Sequence, residues 1–104
     1  FLAVKVALAN EFAIMCDSSG VDYDKVCEYA TFDPRLGNTH WVVPGPDGKR
    51  GFGGSCFPKD INSMIDFATK MGVPCYTMLG AWTTNLTVRP EKDWEQLKGR
   101  AVVE

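Results

Sequence analysis

The sequence has few of the residues that usually bind metals. It contains one histidine, His40, and no Cys-x-x-Cys pair. Because zinc sites combine cysteines and histidines at close spacing, no metal site is expected. An even number of cysteines could form disulfides, but most of them lie in apolar or helical contexts, which favours buried, reduced thiols of a cytosolic protein. The cysteines are Cys16, Cys27, Cys56 and Cys75.

Long runs of one kind of residue are also absent. Lysine and arginine are scattered and the net charge is −2, so neither nucleic acid nor a membrane surface is an expected partner. No apolar stretch is long enough to cross a bilayer. The apolar N-terminus, FLAVKVALANEFAIMC, lacks a basic region and is interrupted by Lys5 and Glu11. It therefore predicts a helix in a cytoplasmic protein, and not a signal peptide.

Strand patterns are missing too. No segment alternates convincingly between apolar and polar residues, and only 101–103 carries β-type residues. The chain has 104 residues, enough for one domain whose small core could gain from a partner chain. The predicted fold class is all-α.

Apolar spacing predicts a first helix over 1–19 that is apolar on two faces and ends at Gly20. No capping residue precedes Phe1, so we expect the chain to start inside a longer helix. Asp22 is expected to cap a second helix, and the turn at 33–37 follows it. Later helices are predicted from Pro58 to Gly72, from Pro74 to Arg89 and over Glu91 to Lys98. The inner side of the helix from Pro74 is assigned to Tyr76, Leu79, Trp82, Thr83 and Leu86.

A glycine-rich loop over 38–57 leads directly into one of these helices and ends in GFGGSCFPKD, residues 51–60. Loops of this length in compact domains are usually functional or disordered. Cys56 stands just before the helix, where backbone N–H groups and the helix dipole favour a thiolate, and Lys59 adds positive charge. Glycines also let the backbone approach a ligand closely. The cysteine is either a nucleophile or a buried residue at the helix cap.

Four segments stand in the same order as in the UDP-glucose/GDP-mannose dehydrogenase family: the first helix, GVDYDKV, DPRLGN and this motif. The chain resembles that family over residues 1 to about 72. The resemblance implies a helical central domain of the 6-phosphogluconate dehydrogenase C-terminal type. In this family the central domain forms the homodimer. It lies in the chain between an N-terminal and, usually, a C-terminal nucleotide-binding domain. The resemblance also implies NAD as cofactor, bound mainly outside this chain, because GFGGS follows no strand and is not a dinucleotide fingerprint.

The family oxidises the C6 alcohol of a nucleotide sugar to a carboxylate. By resemblance, Cys56 attacks the intermediate aldehyde to give a thiohemiacetal, and a thioester forms and is hydrolysed. Asp60 matches an aspartate that positions or activates the hydrolytic water, and it also suits the first turn of a helix. UDP-glucose is the favoured substrate. GDP-mannose, a UDP-N-acetyl-hexosamine, or a non-catalytic dimerisation module are the alternatives.

Further residues take their roles from the same resemblance. Arg35 matches an arginine that reaches the partner subunit's nucleotide sugar, although alone it would suit a surface arginine. Gly51, Phe52 and Gly53 match the loop that covers the substrate, and Phe52 could instead fill the core. Lys59 lies where family members contact the cofactor.

Other polar and aromatic residues are predicted to be structural. Asn10 and Glu11 are expected to form structural hydrogen bonds in the first helix, and His40 to be a surface residue. The tryptophans are expected to serve in packing or at an interface. They are Trp41, Trp82 and Trp94.

The domain organisation is predicted as a central helical domain over 1–90 and a helix and linker over 91–104. The stretch 97–102 resembles the opening of a further nucleotide-binding domain, so a truncated chain is preferred over a short form of the enzyme. The family's catalytic lysine and asparagine lie before the FLA segment, and Lys5 does not take that role. We therefore expect the isolated chain to be inactive and to self-associate.

Overall fold

The computed structural model describes residues 1–97, and all regular structure in that range is helical. Four α-helices are joined by loops and two short 3₁₀ helices, at Pro34–Leu36 and Asp93–Leu97. The predicted all-α class is confirmed. None of the described helices is long and apolar enough to cross a membrane. The α-helices are α1 (Leu2–Ser19), α2 (Tyr23–Ala30), α3 (Cys56–Lys70) and α4 (Tyr76–Val88).

Local sequence signals set several of the helix ends. Gly20 ends α1 with a φ of 73°, a left-handed conformation that suits glycine. The carboxylate of Asp22 accepts a hydrogen bond from the N–H of Asp24 and caps α2. Asp33 caps the 3₁₀ helix in the same way. These ends agree with the predictions from the sequence.

The core lies around α1, which packs most extensively against α4. Two clusters of buried side chains both include residues of α1. One contains Ala7, Phe52, Ile61 and Ala81, and the other contains Ala9, Ala13, Cys16 and Tyr23. A second stripe of α1, formed by Leu8, Phe12 and Met15, remains exposed. The helix is therefore apolar on two faces, as predicted, and only one of them is covered within the described chain.

The start of α3 differs from the prediction. The helix begins at Cys56, so Pro58 is its third residue and not its first. Proline is tolerated there because the first turn's N–H groups have no partner within the helix. Asp60 is consequently the fifth residue, beyond the first turn, and its predicted role as a first-turn residue is wrong.

The buried face of α4 also differs from the prediction. The helix begins at Tyr76, and Tyr76 and Leu79 are exposed. Ala81 and Asn85 are its buried residues instead. The prediction failed because apolar residues lie on several sides of this helix, so their spacing alone could not identify the inner one.

The segment after α4 folds back onto the domain. The helix predicted over 91–98 is a 3₁₀ helix over Asp93–Leu97. Its Trp94 is 3% exposed and its ring centroid lies 5.0 Å from that of Trp82, in agreement with a packing role. The rest of the predicted linker, residues 98–104, lies outside the described residues.

Candidate active site

Cys56 opens α3 at the end of the glycine-rich loop, and its side chain is exposed. Within residues 1–97, the one side chain at hydrogen-bonding range of its sulfur is that of the neighbouring Ser55, with Oγ 4.0 Å from Sγ. Lys59 and Asp60 follow three and four residues later, which places all three on one face of the helix. An exposed thiol at a helix N-terminus, with a lysine one turn away, is accessible to an electrophile.

Two buried asparagines hold the backbone before this cysteine. Asn10 of α1 accepts a hydrogen bond from Gly51 N–H, with 3.0 Å from Oδ1 to the nitrogen. Asn85 of α4 accepts from Phe52 N–H at 2.7 Å and donates from Nδ2 to Phe52 C=O at 2.9 Å. The loop backbone is therefore anchored to both central helices.

The prediction of structural hydrogen bonding in α1 agrees with these contacts. Glu11 also accepts a bond from Thr84 Oγ1, at 2.8 Å. The role of Asn85 was missed. The signal available in the sequence was the amide side chain of Asn85 among the apolar residues of α4.

Arg89 forms a second anchor that the sequence did not reveal. Its side chain is 2% exposed and binds the carboxylates of Asp47 and Asp93, with 2.9 Å between Nε and Asp93 Oδ1. Nη1 donates to the carbonyl of Arg50 at 3.3 Å. The other oxygen of Asp93 accepts from Gly54 N–H at 3.0 Å. From the sequence, Arg89 was expected only to end the helix that starts at Pro74.

The charge on Arg89 changes the acidity of both carboxyl groups. Partial burial acts to raise the pKa of Asp47 and of Asp93. Each pKa nevertheless lies below its ordinary value, because Arg89 and backbone N–H donors stabilise the carboxylate form. The two groups are thus held as anions around a buried cation.

Phe52 fills the core under the loop. It is 4% exposed, and its ring centroid lies 6.0 Å from that of Phe57 and 6.1 Å from that of Trp82. Of the two roles open to Phe52, the packing one is therefore present. The edge of the residue also faces the cleft described next.

A cleft of about 480 Å³ lies within the glycine-rich loop, between its turn at 44–49 and its stretch 51–53. One wall belongs to the turn and the other to Gly51, Phe52 and Gly53, with His40 beside them. Its lining residues are Val6, His40, Val42, Gly45, Pro46, Asp47, Gly51, Phe52, Gly53, Phe57 and Arg89. The structure thus brings the three predicted loop residues together at one cleft. A volume of this size suits a small organic ligand.

The other predicted residues do not line this cleft. Lys59 and Asp60 are mostly exposed and 3.9 Å apart, which is a weak surface pair. Asp60 lies at a second, smaller pocket of about 290 Å³ beside Phe1 and Leu2. The side chain of Arg35 is 87% exposed and pairs with Asp33 at 2.7 Å, and its recorded hydrogen bonds do not reach the cysteine loop.

The 3₁₀ helix that carries Arg35 is tied to α1 and to the following loop. Lys5 donates to Leu36 C=O at 2.8 Å, and Trp41 Nε1 donates to Gly37 C=O at 2.9 Å. The guanidinium holds the pKa of Asp33 below its ordinary value through their hydrogen bonds. Arg35 is therefore presented outward from a supported turn.

The described residues do not fit NAD. Between residues 1 and 97 there is no strand that could precede a glycine-rich dinucleotide loop, and GFGGS leads from irregular backbone into α3. The same range contains no cluster of three histidine, cysteine, aspartate or glutamate side chains that could hold a metal ion.

Comparison with known proteins identifies a family and several sequence relatives of this chain. The model of the UDP-glucose/GDP-mannose dehydrogenase family, central domain, matches residues 1–86. The chain is 42% identical over 72 residues to a UDP-glucose 6-dehydrogenase of Pseudomonas aeruginosa, covering 69% of this chain and 15% of the relative. It is 36% identical over 100 residues to the UDP-glucose 6-dehydrogenase AglM of Haloferax volcanii, covering 96% of this chain and 22% of the relative. The chain thus spans only 15% to 22% of the length of these proteins.

Proposed function

This chain belongs to the UDP-glucose/GDP-mannose dehydrogenase family, as its central domain, and we propose that it carries the nucleophilic cysteine of a nucleotide-sugar 6-dehydrogenase. The enzyme would oxidise the sugar C6 alcohol to a carboxylate. UDP-glucose is the favoured substrate because the relatives are named UDP-glucose 6-dehydrogenases. The observation that carries the proposal is the exposed Cys56 at the start of α3, behind a loop anchored at Gly51, Phe52 and Gly54.

The chemistry of Cys56 follows from that position. Its thiolate adds to the C6 aldehyde carbon and forms a C–S bond, while the carbonyl π electrons move to oxygen, which takes up a proton. The product is a thiohemiacetal. Once this adduct has been oxidised to a thioester, water adds to the carbonyl carbon and the C–S bond breaks, releasing the carboxylate and the thiol.

Asp60 is proposed to hold or activate that water. It lies one helical turn after Cys56 on the same face, and its side chain is 68% exposed. A carboxylate accepts a hydrogen bond from water and can take its proton as the bond to carbon forms. Asp60 also borders the smaller pocket, so solvent has access to it.

The sugar nucleotide is proposed to bind across the 480 Å³ cleft, under Gly51, Phe52 and Gly53. Arg35 is proposed to bind the nucleotide sugar of a partner subunit. This role is supported by its exposure and by its supported turn, and arginine suits phosphate or hydroxyl acceptors.

Both oxidation steps need NAD as the hydride acceptor, and the described residues contain no strand and glycine-rich loop of the dinucleotide-binding type. We propose that NAD is bound mainly elsewhere in the enzyme, with Lys59 contacting it near Cys56. The side chain of Lys59 is 53% exposed on the face of α3 that carries the cysteine, which makes it available for this contact. We likewise propose 1–90 as the central helical domain that carries the catalytic cysteine, and 91–104 as a C-terminal helix and linker that begins by packing on that domain through Trp94.

A homodimer through the helical domain is proposed on the basis of α1. Its stripe of Leu8, Phe12 and Met15 is exposed at 47%, 39% and 61% although the opposite face is buried. Such a stripe at helical spacing can pack against the same stripe of a second copy.

The proposal is tested in the complete polypeptide that carries residues 1–104. NADH formation is followed with UDP-glucose, GDP-mannose and UDP-N-acetyl-hexosamines, for wild type, Cys56→Ala and the matched control Cys75→Ala. Two NADH per sugar, lost in Cys56→Ala and kept in Cys75→Ala, is the expected result. Turnover with another sugar would correct the substrate. Turnover that survives Cys56→Ala would overturn the cysteine role, and no turnover would favour a dimerisation module.

A further inference from the structure

We propose that Arg89 is a positioning residue that fixes both the segment leading to Cys56 and the turn that forms one wall of the cleft. The effect of Arg89 on catalysis rests on the proposed function, whereas the anchoring of the loop by Arg89 can be measured independently of activity. This guanidinium contacts the turn at 44–49 and the adjoining stretch 50–54, which lie 39 to 42 positions earlier in sequence, and also the segment that follows α4.

The contacts involve all three nitrogens of the arginine. Nε binds Asp93 at 2.9 Å, Nη1 binds the Arg50 carbonyl at 3.3 Å and Nη2 binds Asp47. The side chain is 2% exposed, so solvent does not compete for these donors. A planar guanidinium holds three acceptors in fixed directions, and an ammonium group cannot reproduce that pattern.

The path from Arg89 to the cysteine is short. Asp93 bridges Arg89 to the N–H of Gly54, which lies two residues before Cys56. The loop also rests directly on the guanidinium, because a Cβ added at Gly53 would lie 2.7 Å from Arg89 Cζ. A change at Arg89 is therefore transmitted to the backbone that sets the direction of the Cys56 side chain.

Asp47 links Arg89 to the opposite wall. It lines the cleft together with Gly45 and Pro46, and its side chain is 49% exposed. Loss of the cation would leave Asp47 and Asp93 near one another without a counter-charge, and like charges at short range repel. We expect the turn and the loop to separate and the cleft to lose its shape.

The first test uses the 104-residue chain and amide hydrogen exchange followed by NMR. Arg89→Met should speed exchange at Gly54 by about tenfold or more relative to the buried Ala13 of α1, because local opening exposes an amide without global unfolding. Arg89→Lys keeps the charge without the fork and should give an intermediate rate. Arg50→Met is the matched control. It removes an arginine of the same loop that pairs with Asp17, while its backbone carbonyl remains.

A second readout covers the case in which Arg89→Met fails to fold. Asp93→Asn removes one charge and keeps an oxygen for Gly54, and it should speed Gly54 exchange by about threefold. Unchanged Gly54 exchange in a folded Arg89→Met, or in Asp93→Asn where Arg89→Met does not fold, would overturn the anchoring. So would an equal effect of Arg50→Met.

Activity separates the two proposals. In the complete polypeptide, kcat per folded enzyme should fall about tenfold in Arg89→Met and recover in part in Arg89→Lys, since a misplaced nucleophile slows the chemical step. A merely structural role would lower the folded fraction and leave kcat per folded molecule unchanged. If Cys56→Ala stays active while Gly54 exchange responds to Arg89→Met, the proposed function fails and the anchoring role stands.

Discussion

The side-chain amide of Asn85 forms both backbone hydrogen bonds of Phe52. Its Oδ1 accepts from Phe52 N–H at 2.7 Å and its Nδ2 donates to Phe52 C=O at 2.9 Å. Asn85 is fully buried and Phe52 is 4% exposed, so water cannot replace either bond. The pair therefore joins the middle of the glycine-rich loop to α4 in the way that one strand joins another.

Replacing Asn85 by alanine should destabilise the domain strongly. The change leaves a buried N–H and a buried C=O of Phe52 without partners, at a cost of roughly 3 kcal/mol in the free energy of unfolding. Urea denaturation measures the loss. Asn62→Ala is the control, because Asn62 Nδ2 binds only the Pro58 carbonyl of its own helix, and it should cost under about 1 kcal/mol. Equal costs for the two variants would contradict the role of Asn85.

Gly51→Ala should destabilise more than Gly48→Ala. Both glycines have positive φ, 70° and 77°, so alanine pays a similar conformational penalty of about 1 kcal/mol at each position. Only at Gly51 would the new Cβ meet the Asn85 side chain and come 2.9 Å from Val88 Cγ2. At Gly48 it meets nothing within 4 Å. Thermal unfolding should show that Gly51→Ala lowers the free energy of unfolding by about 2 kcal/mol more than Gly48→Ala does. Equal losses for the two variants would mean that the loop can move away from Asn85 and Val88.

Acid should weaken the domain partly through Asp47 and Asp93. The folded pKa of each lies below the ordinary 3.8, so the unfolded chain binds more protons in this range. The two carboxylates contribute to the free energy of unfolding above the pKa of the unfolded chain, and this contribution is lost as the pH falls through the pKa of the folded state. The stability difference between wild type and Asp93→Asn, measured by urea unfolding, should therefore shrink as pH drops below about 4.

Asp33→Asn is the control for this experiment. Asp33 also has a lowered pKa, but its partner Arg35 is largely exposed, and surface pairs contribute little to stability. A pH dependence as large for Asp33→Asn as for Asp93→Asn would contradict a special role of the buried cation.

Tyr23 should make the domain sensitive to alkali. Burial is the main cause that raises the pKa of its phenol, and the neighbouring Cys27 adds to it. The folded state therefore keeps its proton at a pH where the unfolded chain loses it, and stability falls as pH rises above the ordinary value near 10. Tyr23→Phe loses the 2.6 Å bond to the Trp41 carbonyl and should cost about 1 kcal/mol at neutral pH.

The difference between wild type and Tyr23→Phe should shrink above pH 10, as followed by circular dichroism in urea. Tyr29→Phe serves as the control because Tyr29 is 62% exposed. A constant difference between wild type and Tyr23→Phe would show that the phenol is not protected in the folded state.

Phe12→Glu should prevent self-association. Phe12 is in the middle of the exposed α1 stripe, and a charge there would be buried unpaired at an interface between copies. Sedimentation equilibrium at micromolar concentration should show dimers for wild type and monomers for Phe12→Glu. Tyr29→Glu, at an exposed position of α2, should leave the dimer intact. A monomeric wild type would contradict the proposed homodimer.

Short-range signals predicted the helices well. Gly20 and Asp22 end and begin helices through bonds within their own few residues, so the sequence contains all that is needed. The position of Cys56 beside a helix N-terminus was predicted for the same reason. The exact start of α3 was not, because proline is tolerated throughout the first turn and Pro58 did not mark one position.

The anchoring of the loop could not be predicted in this way. Asn10, Asn85 and Arg89 bind residues 33 to 42 positions away, and no local pattern identifies such partners. Asn10 was expected to form a structural hydrogen bond, but its partner Gly51 could not be identified, and Arg89 before Pro90 looked like the end of a helix. Their roles depend on which faces of α1 and α4 meet.

The sequence by itself determined the helical class, most helix ends and the motif that places Cys56 at the start of α3, because these depend on neighbours along the chain. Only the tertiary structure decided that Phe52 is buried, that the cleft lies between two stretches of the same loop, and that a buried arginine joins them. These features arise from long-range packing, in which polar groups removed from water must find partners on whichever elements lie beside them.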